Sequence, residues 1–154
     1  MRGWKTPHID LSFRPAGEIF FKDASMKFFI VDDSELVVER VSELLSNIPG
    51  LEFTGQAANA NDAVEAIERL KPDVVILDIR LNGGENGMNV LERIKKEESP
   101  PVVIMLTNYP YPQYRKKCRE LGAEYFFDKV TEIESFVRVL GILAKDPSQG
   151  ELPL

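Results

Sequence analysis

The stretch that decides the fold is Lys27–Asp33, KFFIVDD. Four consecutive apolar residues without polar alternation mark a short strand buried on both faces, as in a parallel sheet. Two carboxylates follow it at once. Downstream, Val37, Val41, Leu44, Leu45 and Ile48 recur at helical spacing until Pro49-Gly50 stops them. The same alternation then continues along the chain. Leu51–Gln56 (LEFTGQ) reads as a weaker, more polar strand at a sheet edge. Ala63, Ile67 and Leu70 mark a second helix, ended by Pro72, and Val74–Leu77 (VVIL) is the third strand. Met88, Leu91 and Ile94 form a third helix before Val102–Leu106 (VVIML). Tyr114, Cys118 and Leu121 form a fourth, closed by Gly122; Tyr125–Phe127 is a fifth strand. Ile133, Phe136, Val137, Leu140 and Leu143 make the last helical stripe. Five β-α units predict an α/β fold, a doubly wound five-stranded parallel sheet with helices on both faces.

Composition narrows the function. A chain of 154 residues is the size of one domain, and 44% hydrophobic with 29% charged residues excludes a collagen-like or wholly disordered chain. No apolar run is long enough to span a bilayer. Nineteen basic against 25 acidic side chains, net −6, argue against a sequence-independent nucleic-acid binder, which needs a basic surface. The single cysteine, Cys118, excludes an intramolecular disulfide, fits a reducing cytosol and reads as core within its helical stripe. The single histidine, His8, excludes most zinc sites. Residues 1–25 show no period and lack the pattern of a secretory signal. They are expected to be a loosely attached extension, which an upstream start codon before Met26, real or misassigned, would explain, with Phe20 and Phe21 packing on the domain as the alternative. Residues 26–145 form the domain and 146–154 a tail.

In doubly wound sheets the site lies at the carboxyl ends of the strands, near the reversal of strand order. Here strand one ends in Asp32-Asp33, strand three in Asp78 and strand four in Thr107, and Lys129 closely follows the fifth. In strand order 2-1-3-4-5 the first and third strands are neighbours, which gathers the three carboxylates. Three anions so close call for a cation, and oxygen donors of this kind suit Mg²⁺. Taken singly, each Asp reads as a turn former or helix cap, Thr107 as a loop hydroxyl and Lys129 as a solvated amine. Their agreement at one sheet edge is what turn preference does not explain.

With Phe28–Ser34 (FFIVDDS), Val74–Leu81 (VVILDIRL), Val102–Asn108 (VVIMLTN) and Leu121–Lys129 (LGAEYFFDK), the sequence resembles the receiver domains of two-component response regulators, of the stand-alone type. The resemblance covers roughly residues 26–144. It implies a flavodoxin-like fold and a phosphorelay switch. Asp78 would accept a phosphoryl group from a histidine kinase or phosphotransfer protein. Asp32, Asp33, Asp78 and the backbone carbonyl of Arg80 would hold Mg²⁺. Lys129 would pair with the phosphoryl oxygens, Thr107 would move to bind them, and Phe126 would follow Thr107. The implied protein is cytoplasmic and not an enzyme beyond its own phosphorylation and dephosphorylation. It would act on an unknown downstream protein, without direct contact to nucleic acid or membrane; a homodimer stays open.

The sequence departs from the family at Val130, where a proline in a cis peptide is usual, and at Asn108, where Ala or Gly is usual. The loop RLNGGENG has Asn82 where Pro is common and is about one residue longer before Gly87. Gly83-Gly84 reads as a turn within it, and Pro112 as the first turn of the fourth helix. Competing readings are a receiver-like scaffold that is never phosphorylated, an aspartyl-nucleophile phosphatase and a flavin carrier. The phosphatase would want an acid at position 80, where Arg80 stands. The flavin carrier would bring its phosphate against acids.

Overall fold

The computed structural model describes residues 10–13, 19–22 and 25–145. Its elements are β1 (Asp10–Phe13), β2 (Ile19–Lys22), β3 (Met26–Val31), α1 (Glu35–Ser46), β4 (Leu51–Ala57), α2 (Ala60–Leu70), β5 (Val74–Leu77), α3 (Gly87–Ile94), β6 (Val102–Thr107), α4 (Pro112–Glu120), β7 (Tyr125–Asp128) and α5 (Ile133–Lys145). The main sheet runs β4-β3-β5-β6-β7, all parallel, which is order 2-1-3-4-5 counted from β3. β4 lies at the edge, as its polar sequence demands.

Side chains of β3 divide by parity, as a strand buried on both faces requires. Phe28 and Ile30 join the core under α1 and α5, with Val41, Leu45, Phe136 and Leu140. Phe29 and Val31 face α2, α3 and α4, with Ile67, Leu91, Ile94 and Cys118. Each large side chain so buried contributes about 1.5–3 kcal/mol.

Two expectations are corrected. In α1 the buried stripe is Val38, Val41 and Leu45, and Leu44 is exposed. The inward face is centred on Val38, Val41 and Leu45, which leaves Val37 at its border and Leu44 outside it. Within residues 1–25, β1 and β2 pair antiparallel, Asp10 opposite Lys22 and Phe13 opposite Ile19, where no regular element was expected. Four-residue strands are too short for their alternation to register. The packing of Phe20 and Phe21, the rest of the extension and the tail 146–154 lie outside the described residues and side chains. Among the described residues no helix is long and apolar enough to cross a membrane.

Candidate functional site

The strand ladder places the carboxylates. Asp78 N–H donates to Val31 O at 2.9 Å, and Asp32 N–H to Ala57 O at 3.0 Å, so the chain leaves β3 and β5 side by side. Oxygens of Asp32, Asp33 and Asp78 lie within 4.8 Å of one another. Asp33 is exposed, whereas Asp32 and Asp78 are only 5% and 6% exposed. Two buried carboxylates this close need a counter-charge. Lys129 supplies it: Nζ lies 2.6 Å from Asp32 Oδ2 and 2.8 Å from Asp78 Oδ2. The remaining oxygens are satisfied by backbone, Asp32 Oδ1 accepting from Ser34 N–H at 2.9 Å and Asp78 Oδ1 from Ile79 N–H at 2.7 Å.

Burial pushes the Asp32 carboxyl above its ordinary 3.8, against the pull of Lys129 and the Ser34 N–H, and the Asp78 charge pushes the same way. Burial also opposes the charge on Lys129. The attraction of Asp78 and the hydrogen bonds to both carboxylates outweigh it and hold the ammonium above its ordinary range.

The capping role does not fall to the acids. Ser34 caps α1, its hydroxyl accepting Val37 N–H at 3.3 Å. Asp32 and Asp33 are therefore left for the site. Behind Asp78, the first residue of α3 comes so close that a Cβ on Gly87 would sit 1.8 Å from the Asp78 carbonyl oxygen. Only glycine fits there. The loop between them folds on itself through Leu81 N–H to Glu85 O at 3.3 Å, with Gly83 and Gly84 both at positive φ, as the turn reading required. Asn82 forms a bridge with Asn59, which precedes α2. Neither bond uses the Arg80 carbonyl.

Thr107 is fully buried at the end of β6, its hydroxyl accepting Tyr109 N–H at 3.1 Å while its carbonyl accepts Lys129 N–H at 2.9 Å. Phe126 is half-buried, with the Arg115 guanidinium 4.7 Å above its ring. The exposed Arg80 lays its guanidinium 4.2 Å above Tyr109. Cys118 is buried, and that burial pushes its thiol up to about 11, so it serves as core.

The structure thus brings Asp32, Asp33, Asp78 and Lys129 into one constellation, with Thr107 one strand away and Phe126 beyond it. The profile of the response regulator receiver domain matches residues 28–140. The chain belongs to that family. The sensory transduction protein LytT of Bacillus anthracis is 32% identical over 115 residues, 75% of this chain and 46% of that protein. The DNA-binding transcriptional activator EvgA of Escherichia coli K12 is 29% identical, over 75% of this chain and 55% of that protein. The chain spans about half the length of these curated relatives. Among solved structures, the signal receiver domain of the putative response regulator NarL of Mycobacterium tuberculosis superposes with a TM-score of 0.70 at 26% identity, covering 79% of this chain and 97% of that one. The CheX-CheY-BeF3-Mg complex of Borrelia burgdorferi superposes with a TM-score of 0.68 at 25% identity, covering 83% and 92%.

The donor set of this receiver fits a hard dication. Three carboxylates offer oxygens only, and the exposed Asp33 leaves one side of the cluster open to the waters that Mg²⁺ keeps. Residues that sequence reasoning missed are those that support the site. Ser34 was legible as a hydroxyl opening a helical stripe, whereas Gly87, Arg115 and Asp128 gain their partners only from the folded arrangement.

Proposed function

We propose that this receiver domain is a phosphorylation-dependent switch that takes a phosphoryl group on Asp78. The observation that carries the reading is a buried nucleophilic carboxylate flanked by two further acids and held by a buried ammonium at the carboxyl edge of a parallel sheet. An Asp78 oxygen forms the new bond to phosphorus. The phosphorus–nitrogen bond of a phosphohistidine on a kinase or phosphotransfer protein breaks, and the departing imidazole takes a proton. Asp32, Asp33, Asp78 and the Arg80 carbonyl would hold Mg²⁺, which offsets charge on the transferring oxygens. Lys129 already lies against Asp78 and is placed to pair with those oxygens, so little reorganisation is needed.

The product has more acceptor oxygens than the carboxylate. Thr107 can then exchange its bond to Tyr109 N–H for one to the phosphoryl group. That motion frees space beside Phe126, which lies under Arg115 of α4, and so biases α4. A downstream protein would read the result. Residues 26–145 carry the switch, and residues 1–25 are an appended segment.

Intact mass after incubation with Mg²⁺ and phosphoramidate tests the acceptor. The wild type is expected to gain one phosphate and Asp78→Asn none; an equal gain in both contradicts the assignment.

A further inference from the structure

Lys129 reaches two buried carboxylates from the turn that follows β7, and its aim depends on the backbone of residues 128–131. No glycine or proline shapes that turn, and no peptide bond among the described residues is cis. Val130 is 76% exposed, so it provides no apolar anchor. Hydrogen bonds hold the segment instead: Lys129 N–H donates to Thr107 O at 2.9 Å, which fixes the end of the strand, and those of the turn beyond it converge on Asp128. Asp128 Oδ1 accepts Val130 N–H at 2.8 Å, and Asp128 Oδ2 accepts the Thr131 hydroxyl at 3.0 Å. The Asp128 N–H donates to Glu132 Oε1 at 3.0 Å, and its carbonyl accepts Glu132 N–H at 3.0 Å.

We propose that Asp128 is the positioning residue for Lys129, its carboxylate folding the chain around Val130 and Thr131 so that the ammonium points at Asp32 and Asp78. A short acid that accepts a backbone N–H two residues on is the usual device for fixing a turn without glycine. A proline at position 130 could not take part, having no N–H. This chain therefore aims its lysine by a side-chain hydrogen bond. The ammonium's two contacts, at 2.6 and 2.8 Å, are what that aim secures. Because Lys129 occupies Oδ2 of both Asp32 and Asp78, a correctly aimed Lys129 also competes with any dication for those oxygens. That competition separates positioning from simple support of the fold. A variant that merely weakens the fold would not bind the metal more tightly.

The test uses the full chain as wild type, Asp128→Ala, Asp128→Asn and Lys129→Ala, with thermal melting as a check on folding. Mg²⁺ affinity is measured by calorimetry, and the phosphorylation rate with phosphoramidate at saturating Mg²⁺. Lys129→Ala is expected to bind Mg²⁺ roughly threefold tighter or more at moderate salt, since a cation is removed from the site. Asp128→Ala should move affinity most of the way to that value and slow phosphorylation roughly tenfold, because the misaimed lysine no longer meets the reacting group. Asp128→Asn should restore most of both, its amide oxygen still accepting Val130 N–H. Wild-type Mg²⁺ affinity in a folded Asp128→Ala overturns the proposal. If that variant does not fold, Thr131→Val, which removes only the hydroxyl arm, decides by the same shift or its absence. The rate arm rests on Asp78 as phosphoacceptor and the affinity arm does not. A wild type that binds Mg²⁺ without gaining phosphate would contradict the acceptor and still leave Asp128 to be judged by affinity.

Discussion

Helices α4 and α5 flank the same strand, β7, and are held in opposite ways. α5 buries Phe136, Val139, Leu140 and Leu143, and the Phe136 ring meets Phe127 edge-on at 6.1 Å. α4 buries Cys118 alone, and its N-cap residue Tyr111 makes no side-chain capping hydrogen bond. Half-buried Tyr114 and Leu121 pack at the border of the core, and the remaining contacts are polar and aromatic: the Arg115 guanidinium over Phe126, its 2.7 Å pair with Glu132, and Tyr114 against Tyr111. Apolar burial is non-directional and does not depend on the state of the site, whereas the Arg115 contacts depend on where Phe126 and Glu132 stand. On the proposed reading, the element that would respond to a phosphorylated Asp78 is α4, which buries less apolar surface than α5. Local opening free energies should follow the same division.

Phe136→Ala should cost about 3–5 kcal/mol in denaturant unfolding, the usual loss for an aromatic removed from a core. Cys118→Ala, the corresponding cut in α4, should cost about 1 kcal/mol. Equal losses would mean that α4 is as firmly rooted as α5.

A smaller effect sharpens the polar side. Glu132 is held below its ordinary 4.5, first by the Arg115 guanidinium and then by the Asp128 N–H. Its contribution is present in full above that ordinary value and is lost as pH falls through the lower folded-state value. The stability gap between wild type and Glu132→Gln should therefore be largest at pH 7 and close on acidification. Both partners of the pair are more than a third exposed, at 35% and 37%, so solvent screens it. Its own share at pH 7, read by a double-mutant cycle with Arg115→Ala, should be no more than about 0.5–1 kcal/mol. A gap independent of pH would remove the charge from the account.

The smallest change in the fold concerns the lifetime of the product. Arg80 and Tyr109, stacked at 4.2 Å, stand on the loops after β5 and β6 that border Asp78. On the proposed reading the stack would restrict a hydrolytic water, so Arg80→Ala/Tyr109→Ala should lose phosphate several-fold faster in Mg²⁺ with little change in melting. An unchanged decay would dismiss the shield.

The sheet and its acids were legible because both rest on local pattern. FFIV and VVIL run without polar interruption, and Asp32, Asp33 and Asp78 stand directly behind them, so parallel pairing alone brings them together. The phase of α1 was less legible. Val37, Val38, Leu44 and Leu45 offer two overlapping stripes, and tertiary packing selected the one containing Val38 and Leu45. Asp128 and Arg115 look like surface charges in sequence, since Val130, Thr131, Glu132 and Phe126 become their partners through turn geometry and the approach of α4 to β7. The contact of Lys129 with Asp32 was hidden for the same reason, as it depends on how far the turn lets the lysine reach.

Hydrogen exchange with and without phosphoramidate and Mg²⁺, read by mass spectrometry on peptides from α4 and α5, tests the switch most directly. On phosphorylation of the wild type, amides of Gln113–Glu120 are expected to change their exchange several-fold while those of Phe136–Leu143 stay as they were, and Asp78→Asn should show no change in either. An α4 whose exchange is unaffected in fully phosphorylated protein, or a change confined to α5, would contradict the account.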